Sequence, residues 1–306
     1  AHAYLFSGSR GTGKTSIARI FARAIGSHED DIFEIDAASN RGIDDIRALR
    51  DAVHTVPMHS PYKVYIIDEV HMLSREAFPA LLKTLEEPPK HVVFILATTD
   101  EHKIPETIVS RCQSFRFEKP SQATLKVLVE NVSKKEGYTL EPASADLVAL
   151  LGDGSFRDTL GILQKVIASS SDKKISQAEV ELATGAPDSR LVNAFLAALV
   201  ARDVEAGLSA LESALSHGVE ERVFLDLLLR KVRAVMLFRF VATSRKDMAN
   251  DFPTEDMALI ENLAKSAIQT LTSRELTELL HAYESVRVAV VPGLALELAL
   301  LRIAGK

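Results

Sequence analysis

The chain has 306 residues, of which 47% are hydrophobic and 25% charged, and a formal net charge of −6. This length predicts more than one domain, because domains usually hold about 100 to 200 residues. No run reaches the ~18 uncharged apolar residues of a membrane-spanning helix, and a single cysteine, Cys112, excludes an internal disulfide framework. We therefore expect a soluble cytoplasmic protein, whose negative charge excludes binding to nucleic acid by diffuse attraction alone.

Four short apolar runs in the first third of the chain predict β-strands, over residues 3–7, 32–37, 64–68 and 92–98. Their nearly continuous apolar character predicts a parallel sheet with helices on both faces. Between the first two runs, residues 15–25 repeat apolar side chains at helical spacing. The pattern predicts an α/β domain over residues 1–118, and the opening Ala-His-Ala-Tyr predicts that an N-terminal segment precedes it.

Strand patterns largely vanish after Lys119-Pro120, where helical patterns follow. The pattern predicts a small helical lid over residues 119–184, with three helices at residues 124–136, 141–152 and 155–169. Beyond Gly185-Ala186-Pro187, long amphipathic patterns predict an all-α bundle over residues 185–306. Its predicted helices cover residues 189–201, 203–216, 220–241 and 295–303.

Residues 8–15 read Gly-Ser-Arg-Gly-Thr-Gly-Lys-Thr, a phosphate-loop pattern placed after a predicted strand and before a predicted helix. The glycines allow the backbone to turn its N–H groups, and the start of the helix, toward bound phosphates. Lys14 is expected to reach the β and γ phosphates of ATP, and the Thr15 hydroxyl to hold Mg²⁺. The predicted nucleotide contacts are Gly8, Ser9, Arg10, Gly11, Thr12, Gly13, Lys14, Thr15 and Ser16.

Two carboxylates, Asp68 and Glu69, follow the third predicted strand, and Thr99 follows the fourth. Parallel α/β sheets bind ligands at the carboxyl ends of their strands, so these side chains are expected to face the phosphate loop. Asp68 is suited to Mg²⁺ and Glu69 to activating the attacking water, whereas Thr99 can bond the γ phosphate or that water. The alternatives are a solvated acidic turn and, for the threonine, an ordinary strand residue.

Further segments accompany the phosphate loop: Asp-Glu-Val-His-Met-Leu over residues 68–73, Leu-Leu-Lys-Thr-Leu-Glu-Glu-Pro-Pro over residues 81–89, Ala-Thr-Thr-Asp over residues 97–100 and Ser-Arg-Cys over residues 110–112. Together they resemble the tau/gamma subunits of the bacterial DNA polymerase III clamp loader, closely over residues 1–186 and more loosely beyond. The resemblance implies an AAA+ nucleotide-binding domain, a helical lid and a helical collar that oligomerises.

The resemblance also implies roles for three residues. Thr99 would be the sensor-1 residue, Arg157 the sensor-2 arginine of the lid, which also contacts the nucleotide, and Arg111 an arginine acting in trans on a neighbouring subunit's ATP. A guanidinium suits such tasks because it is permanently charged and binds phosphate oxygens bidentately. The alternatives are an exposed ion pair for Arg111 and neutralisation of Arg157 by Asp158, while Cys112 is predicted to be a small buried thiol.

The family usually carries a four-cysteine zinc module where this chain has only residues 26–31. The sequence there offers one His and acidic residues, which are a poor structural set for Zn²⁺. We therefore expect no zinc site in the chain as given, unless such a module is missing near Ser27-His28.

By resemblance, ATP binding locks lid against core, and the assembled subunits open a sliding clamp and load it onto primed DNA. The implied partners are delta, delta-prime and further tau/gamma copies through the collar, the clamp through a predicted helix over residues 74–87, and DNA through Arg41 with Asn40 and a helix over residues 43–53. The alternatives are an ordinary packing helix for residues 74–87 and a solvated loop arginine for Arg41. Polymerase and helicase would bind through a tail; no membrane is expected, and the implied location is the replisome at the nucleoid. Two alternative functions remain open: another AAA+ DNA motor of the branch-migration type, and a clamp-loader scaffold that does not hydrolyse ATP.

Overall fold

The computed structural model describes residues 1–170, 172–240, 252, 254–266 and 270–305. These residues form two compact units. The first comprises Ala1–Ser121 together with Gly154–Asp158, and the second comprises Gln122–Asp153 and the described residues from Thr159 onward. The predicted lid and collar helices fall mainly in the second unit, and the division between them after residue 184 stays a prediction.

The first unit is built on a five-stranded sheet whose strands are all parallel, in the order β2-β3-β4-β1-β5. The four predicted strands are confirmed to within one residue at each end, and a fifth edge strand was not predicted. Their bounds are β1 (Ala3–Gly8), β2 (Ile32–Asp36), β3 (Lys63–Asp68), β4 (Val92–Thr98) and β5 (Gln113–Phe117).

Both faces of this sheet are covered, because successive side chains of a strand point to opposite faces. Leu5 and Ile67 belong to one buried apolar cluster, while Phe6 and Ile66 belong to another. Four helices accompany the strands: α1 (Lys14–Ala24), α2 (Ile43–Val53), α3 (Ala77–Glu86) and the short α4 (Glu106–Val109). Helix α1 contributes to the second cluster and helices α2 and α3 to the first, which confirms the predicted two-sided cover.

Helix α3 begins three residues later than the predicted start at residue 74. The Ser74 carbonyl and hydroxyl both accept from the N–H of Ala77, at 3.0 and 3.2 Å, so residues 74–77 form a turn that precedes the helix. Pro79 follows in the first helical turn, where its missing N–H breaks no helical hydrogen bond. The helix itself is confirmed, and only its first turn was predicted wrongly.

In its described residues, the second unit contains helices and the two-residue strands β6 (Thr139–Leu140) and β7 (Lys174–Ile175). No helix in the described ranges is long and apolar enough to cross a membrane. The helices are α5 (Gln122–Lys135), α6 (Pro142–Leu151), α7 (Phe156–Ser169), whose first turn belongs to the first unit, α8 (Gln177–Thr184), α9 (Ser189–Ala201), α10 (Val204–Ser216), α11 (Glu221–Phe240), α12 (Thr254–Ser266), α13 (Ser273–Ser285) and α14 (Leu294–Ala304).

The seven predicted helices of this region are confirmed, whereas α8, α12 and α13 were not predicted. A signal was present for two of them, because Ser176 with Glu179 and Thr272 with Glu275 form capping boxes at the starts of α8 and α13. The predicted end of α11 at Val241 lies outside the described residues. Ser171, in the serine run predicted to end the helix over residues 155–169, also lies outside them.

Two apolar clusters hold the second unit together. Val148 and Leu163 lie in a cluster formed by α5 to α8. A larger cluster joins α9 to α14, where the rings of Phe195 and Phe224 meet edge to face with centroids 5.6 Å apart. Burial of these side chains provides most of the stability of such helices, because isolated helices of this length are marginal in water.

Candidate nucleotide-binding site

Apart from Arg111 and Arg157, the predicted site residues lie at or just after the carboxyl ends of three neighbouring strands. Strand β4 is hydrogen-bonded to β3 on one side and to β1 on the other. The phosphate loop follows β1, Asp68 and Glu69 stand at the end of β3, and Thr98 and Thr99 at the end of β4. In the register of the sheet, Ser7 pairs with Thr98 and Ile67 with Leu96. Parallel pairing therefore brings the three motifs to one edge, as ligand binding in α/β sheets requires.

The phosphate loop owes its shape to backbone angles that favour glycine. Gly11 and Gly13 have φ angles of +74° and +94°, which L-amino acids with a Cβ rarely adopt. A Cβ on Gly11 would also lie 1.9 Å from the Ser155 hydroxyl oxygen. Helix α1 then begins at Lys14, with Gly13 as its N-cap, so its free N–H groups face the loop.

Lys14 is a buried cation, with 6% of its surface exposed. Its Nζ donates to the backbone carbonyls of Gly8 and Ser9 at 2.8 and 2.9 Å. Burial lowers the pKa of Lys14 below its ordinary value, and Arg157 lowers it further, while Glu69 and Asp68 oppose this change. Among the ion pairs of the described residues, none neutralises Lys14 directly, so the loop fits an anionic ligand such as a phosphate chain.

Two side chains whose oxygen atoms suit a hard metal ion, Thr15 and Asp68, lie in contact beside the loop. The Thr15 hydroxyl donates to Asp68 Oδ2 at 2.7 Å, and Asp68 Oδ1 accepts from the Glu69 N–H at 2.9 Å. Mg²⁺ is usually held by one or two protein oxygens together with phosphate and water, rather than by a full protein cage. The pair therefore fits Mg²⁺ although no group of three or more His, Cys, Asp or Glu in the described chain is arranged for a metal ion.

Glu69 is held in an uncommon backbone conformation, with φ of +50° and ψ of +43°. Its Oε2 accepts from the Thr99 hydroxyl at 2.9 Å and from the Thr99 N–H at 3.2 Å. The hydrogen bonds fix the carboxylate between the ends of β3 and β4, where a strained residue is commonly functional. The two predicted site residues are thus brought into direct contact.

His71 belongs to the same network and was not predicted as a site residue. Its Nδ1 lies 3.0 Å from the Thr98 hydroxyl oxygen and 3.4 Å from Glu69 Oε2. The Thr98 hydroxyl also accepts from the Asp100 N–H at 3.0 Å. The signal in the sequence was its position two residues after Glu69, but only the turn that follows β3 directs the ring toward β4.

The two predicted arginines have different surroundings. Arg157 lies with Gly154–Asp158 in the first unit, where the Phe156 N–H donates to the Gly11 carbonyl at 2.9 Å. A Cβ on Gly11 would lie 3.5 Å from the Cβ of Arg157, so the structure brings this residue to the phosphate loop. Arg111 is exposed and donates to Glu86 and to the Thr107 carbonyl, both at 2.7 Å.

Residues 26–31, where the zinc module was considered, lead into β2 through one turn of 3-10 helix over Glu29–Asp31. The carboxylate of Asp31 is buried and accepts from the N–H groups of Met58 and His59 and from the Ser60 hydroxyl, at 2.7, 2.9 and 2.7 Å. Cys112 lies far along the chain, half-buried against the core of the sheet. No zinc site was predicted for the sequence as given, and a zinc module stays conditional on cysteines that residues 26–31 do not contain.

Two family models match separate parts of the chain. Residues 25–121 match the family model described as "DNA polymerase III, delta subunit", and residues 175–306 match "DNA polymerase III subunits gamma and tau domain III". The Bacillus subtilis DNA polymerase III subunit tau is 40% identical over 260 residues, which cover 78% of this chain and 46% of that protein. The Mycobacterium tuberculosis gamma/tau subunit is 34% identical over 327 residues, covering 99% of this chain and 56% of that protein.

The chain belongs to the tau/gamma family of DNA polymerase III subunits. The resemblance inferred from the motifs is thereby confirmed. The Escherichia coli tau subunit supports it as well, at 38% identity over 270 residues, which cover 81% of this chain and 42% of that protein. The chain spans about half the length of these relatives.

Solved structures show a related fold. The Thermotoga maritima RuvB Holliday junction branch migration motor is similar with a TM-score of 0.51 and 18% identity, over 65% of this chain and 68% of that chain. A mutant form of the Thermotoga maritima RuvB protein gives a TM-score of 0.53 and 19% identity, over 72% of this chain and 75% of that chain. At this identity the likeness concerns the fold alone, and it confirms the predicted α/β domain with a parallel sheet followed by helices.

Proposed function

We propose that the chain is an ATP-hydrolysing subunit of a DNA polymerase III clamp loader. It binds ATP at the phosphate loop, and the cycle of binding and hydrolysis opens a sliding clamp and loads it onto primed DNA. The observation that carries this proposal is the arrangement of Lys14, the Thr15–Asp68 pair and the Glu69–Thr99 pair at one edge of the sheet, in a chain of the tau/gamma family.

Each residue of the site has a chemical task in this proposal. Lys14 and the loop N–H groups bind the β and γ phosphates, and Thr15 and Asp68 hold Mg²⁺, which neutralises charge as the γ phosphate leaves. Glu69 orients the attacking water and accepts its proton, while Thr99 fixes the Glu69 carboxylate. The contacts that each pair makes in the structure support these tasks, because the groups already lie within hydrogen-bond distance of one another.

Arg157 and Arg111 act on the same phosphates from different chains in this proposal. Arg157 contacts the γ phosphate of the ATP bound to its own subunit, which is supported by its position beside Gly11 of the phosphate loop. Arg111 reaches the ATP of a neighbouring subunit, after exchanging its exposed ion pair with Glu86 for phosphate oxygens. An exposed ion pair is worth only about 0 to 1 kcal/mol, so little opposes the exchange. Hydrolysis then depends on correct assembly.

The helical bundle is the proposed site of assembly with delta, delta-prime and further tau/gamma copies. Helix α14 buries one side in the bundle core but exposes Leu294, Leu298 and Leu301 on another, with 37%, 44% and 46% of each surface accessible. These positions are spaced by four and three residues, so they form one stripe along the helix. Such a stripe favours packing against another subunit.

The remaining partners follow from the family and from exposed groups of the first unit. Helix α3 is the proposed contact with the sliding clamp, and the exposed Arg41 beside Asn40 is the proposed contact with DNA phosphates. Phosphate contacts position a protein on DNA without reading its sequence, which suits a loader acting at any primed site. Polymerase and helicase are proposed to bind through other parts of the protein, and the replisome at the nucleoid is its proposed location.

An ATPase assay of the assembled loader, with clamp and primed DNA, tests the proposal. We expect Lys14→Ala to lower turnover by about 10²- to 10³-fold, because a preorganised phosphate contact is lost. Arg111→Ala should lower the stimulated turnover by on the order of 10³-fold, as for arginines acting across an interface. ATP binding by the isolated Arg111→Ala subunit should stay at the wild-type level.

Lys165→Ala and Arg23→Ala are matched controls. Lys165 is exposed. Arg23 forms an exposed ion pair with Glu29 at 2.8 Å, which resembles the exposed pair of Arg111 with Glu86 at 2.7 Å. Both controls should keep the wild-type turnover. Unchanged turnover in both Lys14→Ala and Arg111→Ala would overturn the proposal and favour a loader subunit that does not hydrolyse ATP.

A further inference from the structure

The residue that precedes the Gly154–Asp158 segment is held by an ion pair. Asp153 follows helix α6 with φ of +45°, and Gly154 comes next with φ of +74°. The Asp153 carboxylate accepts from an Nη of Arg230 at 2.8 Å. A left-handed conformation is unfavourable for a residue with a Cβ, so this turn needs support from its surroundings.

Arg230 lies on helix α11 of the helical bundle, and its side chain is 29% exposed. Its Nε donates to Asp226, one turn earlier on the same helix, at 2.9 Å. The guanidinium therefore makes two charge-assisted hydrogen bonds, one within α11 and one to Asp153. Because the bond to Asp226 fixes the direction of the planar group, the second bond specifies where the Asp153 carboxylate is held.

The chain after Asp153 is fixed at the phosphate loop. The side chain of Ser155 is buried and occupies the space that a side chain on Gly11 would need. The Phe156 N–H donates to the Gly11 carbonyl at 2.9 Å. Arg157 stands in the first turn of α7, four residues after Asp153. So short a segment transmits a change in the backbone of Asp153, because few rotatable bonds are left to absorb it.

We propose that Arg230 is a positioning residue for the nucleotide site: through its ion pair with Asp153 it sets the turn that places Arg157 at the phosphate loop. A rearrangement of the bundle around α11 that breaks this ion pair then weakens the preference of the site for ATP over ADP. The inference rests on the proposed function, because it assigns Arg157 to the γ phosphate.

The test measures the affinities of the whole protein for a non-hydrolysable ATP analogue and for ADP, both with Mg²⁺. We expect Arg230→Ala to lower the preference for the ATP analogue by about three- to tenfold, part of what one charge-assisted hydrogen bond contributes. Asp153→Asn should act in the same direction, and since its carboxylate is exposed this variant will fold even if Arg230→Ala does not. Arg222→Ala, on the exposed side of the same helix, is the matched control and should keep the wild-type preference.

A double substitution separates positioning from a general loss of structure. In an Arg157→Ala background, the preference for the ATP analogue is already reduced, and adding Arg230→Ala should change it no further. An equal loss with and without Arg157, or wild-type preference in both Arg230→Ala and Asp153→Asn, overturns the inference while leaving ATP binding intact. Failure of the wild-type protein to bind the ATP analogue at all overturns the proposed function and the inference together.

Discussion

Thr99 donates two hydrogen bonds to a single carboxylate oxygen of Glu69, from its hydroxyl at 2.9 Å and from its backbone N–H at 3.2 Å. Residues 30 positions apart in the chain are thus joined at the ends of adjacent strands. Glu69 Oε1 accepts no hydrogen bond in the contacts described for this residue. That oxygen is the one available to a water molecule, so Thr99 orients the group that we expect to act as the base.

Replacing Glu69 by Gln should separate ATP binding from ATP hydrolysis. The amide oxygen can still accept from Thr99, but the side chain can no longer take a proton. We expect turnover to fall by about 10²- to 10⁴-fold, the usual contribution of a general base, with ATP affinity near the wild-type value. Glu205→Gln, an exposed glutamate of α10, is the control. Turnover above one tenth of the wild-type rate in Glu69→Gln would rule out Glu69 as the base.

Replacing Asp31 by Asn should destabilise the first unit. Burial alone would raise the pKa of this carboxyl, but hydrogen bonds from Ser60, Met58 and His59 lower it from 3.8 to about 2. Because the folded pKa lies below the ordinary value, the carboxylate stabilises the fold above about pH 4, and this contribution is lost as the pH falls toward 2. We expect Asp31→Asn to lower Tm by several degrees near neutral pH.

The pH dependence is the informative part of this experiment. The difference in Tm between wild type and Asp31→Asn should be constant above about pH 5 and shrink as the solution becomes more acidic. Asp51→Asn, whose carboxylate is 73% exposed, should show no comparable effect. A Tm difference that does not change between about pH 6 and pH 3 would show that the charge of Asp31 is not what holds the loop of residues 58–60.

Replacing only one partner of a buried ion pair in the helical bundle should strongly destabilise the fold. Lys231 and Asp256 lie 2.8 Å apart with side chains only 5% and 6% exposed, and Ser189 and Asn193 bond to both. Lys231→Met leaves the Asp256 charge buried without its partner, and we expect a loss of about 3 to 5 kcal/mol in the free energy of unfolding, measured in urea.

The double variant Lys231→Met with Asp256→Leu should recover much of that loss, because two apolar groups of similar volume replace two buried charges. Lys265→Met, an exposed lysine of α12, is the control and should change the free energy of unfolding by less than about 0.5 kcal/mol. Additive losses in the double variant would show that the two side chains are not energetically coupled.

The thiol of Cys112 should react slowly while the protein is folded. Burial raises its pKa from 9.0 to about 11, so near pH 8 its thiolate fraction is about a hundredfold below that of an unperturbed thiol. We expect modification by a disulfide reagent to be slower by a similar factor, and to reach the ordinary rate once the chain is unfolded in guanidinium. Equal rates in the two states would show that Cys112 is accessible and unperturbed.

The sequence by itself determined the nucleotide-binding elements. The phosphate loop, the acidic pair after β3 and the threonines after β4 are local patterns whose residue types state their chemistry, and the apolar strands that carry them are defined by neighbours in the chain. The exposed edge strand β5 was not predicted, since only Phe117 of its five residues is even partly buried and its apolar signal is weak.

Only the tertiary structure decided which of these side chains meet. Register between strands brings Thr99 to Glu69, and packing between helices encloses Lys231 with Asp256 and joins Arg230 to Asp153. The physical reason is that local preferences involve residues a few positions apart, whereas these contacts join residues between 25 and 77 positions apart. Their partners are chosen by how whole strands and helices bury their apolar faces, which no short segment specifies.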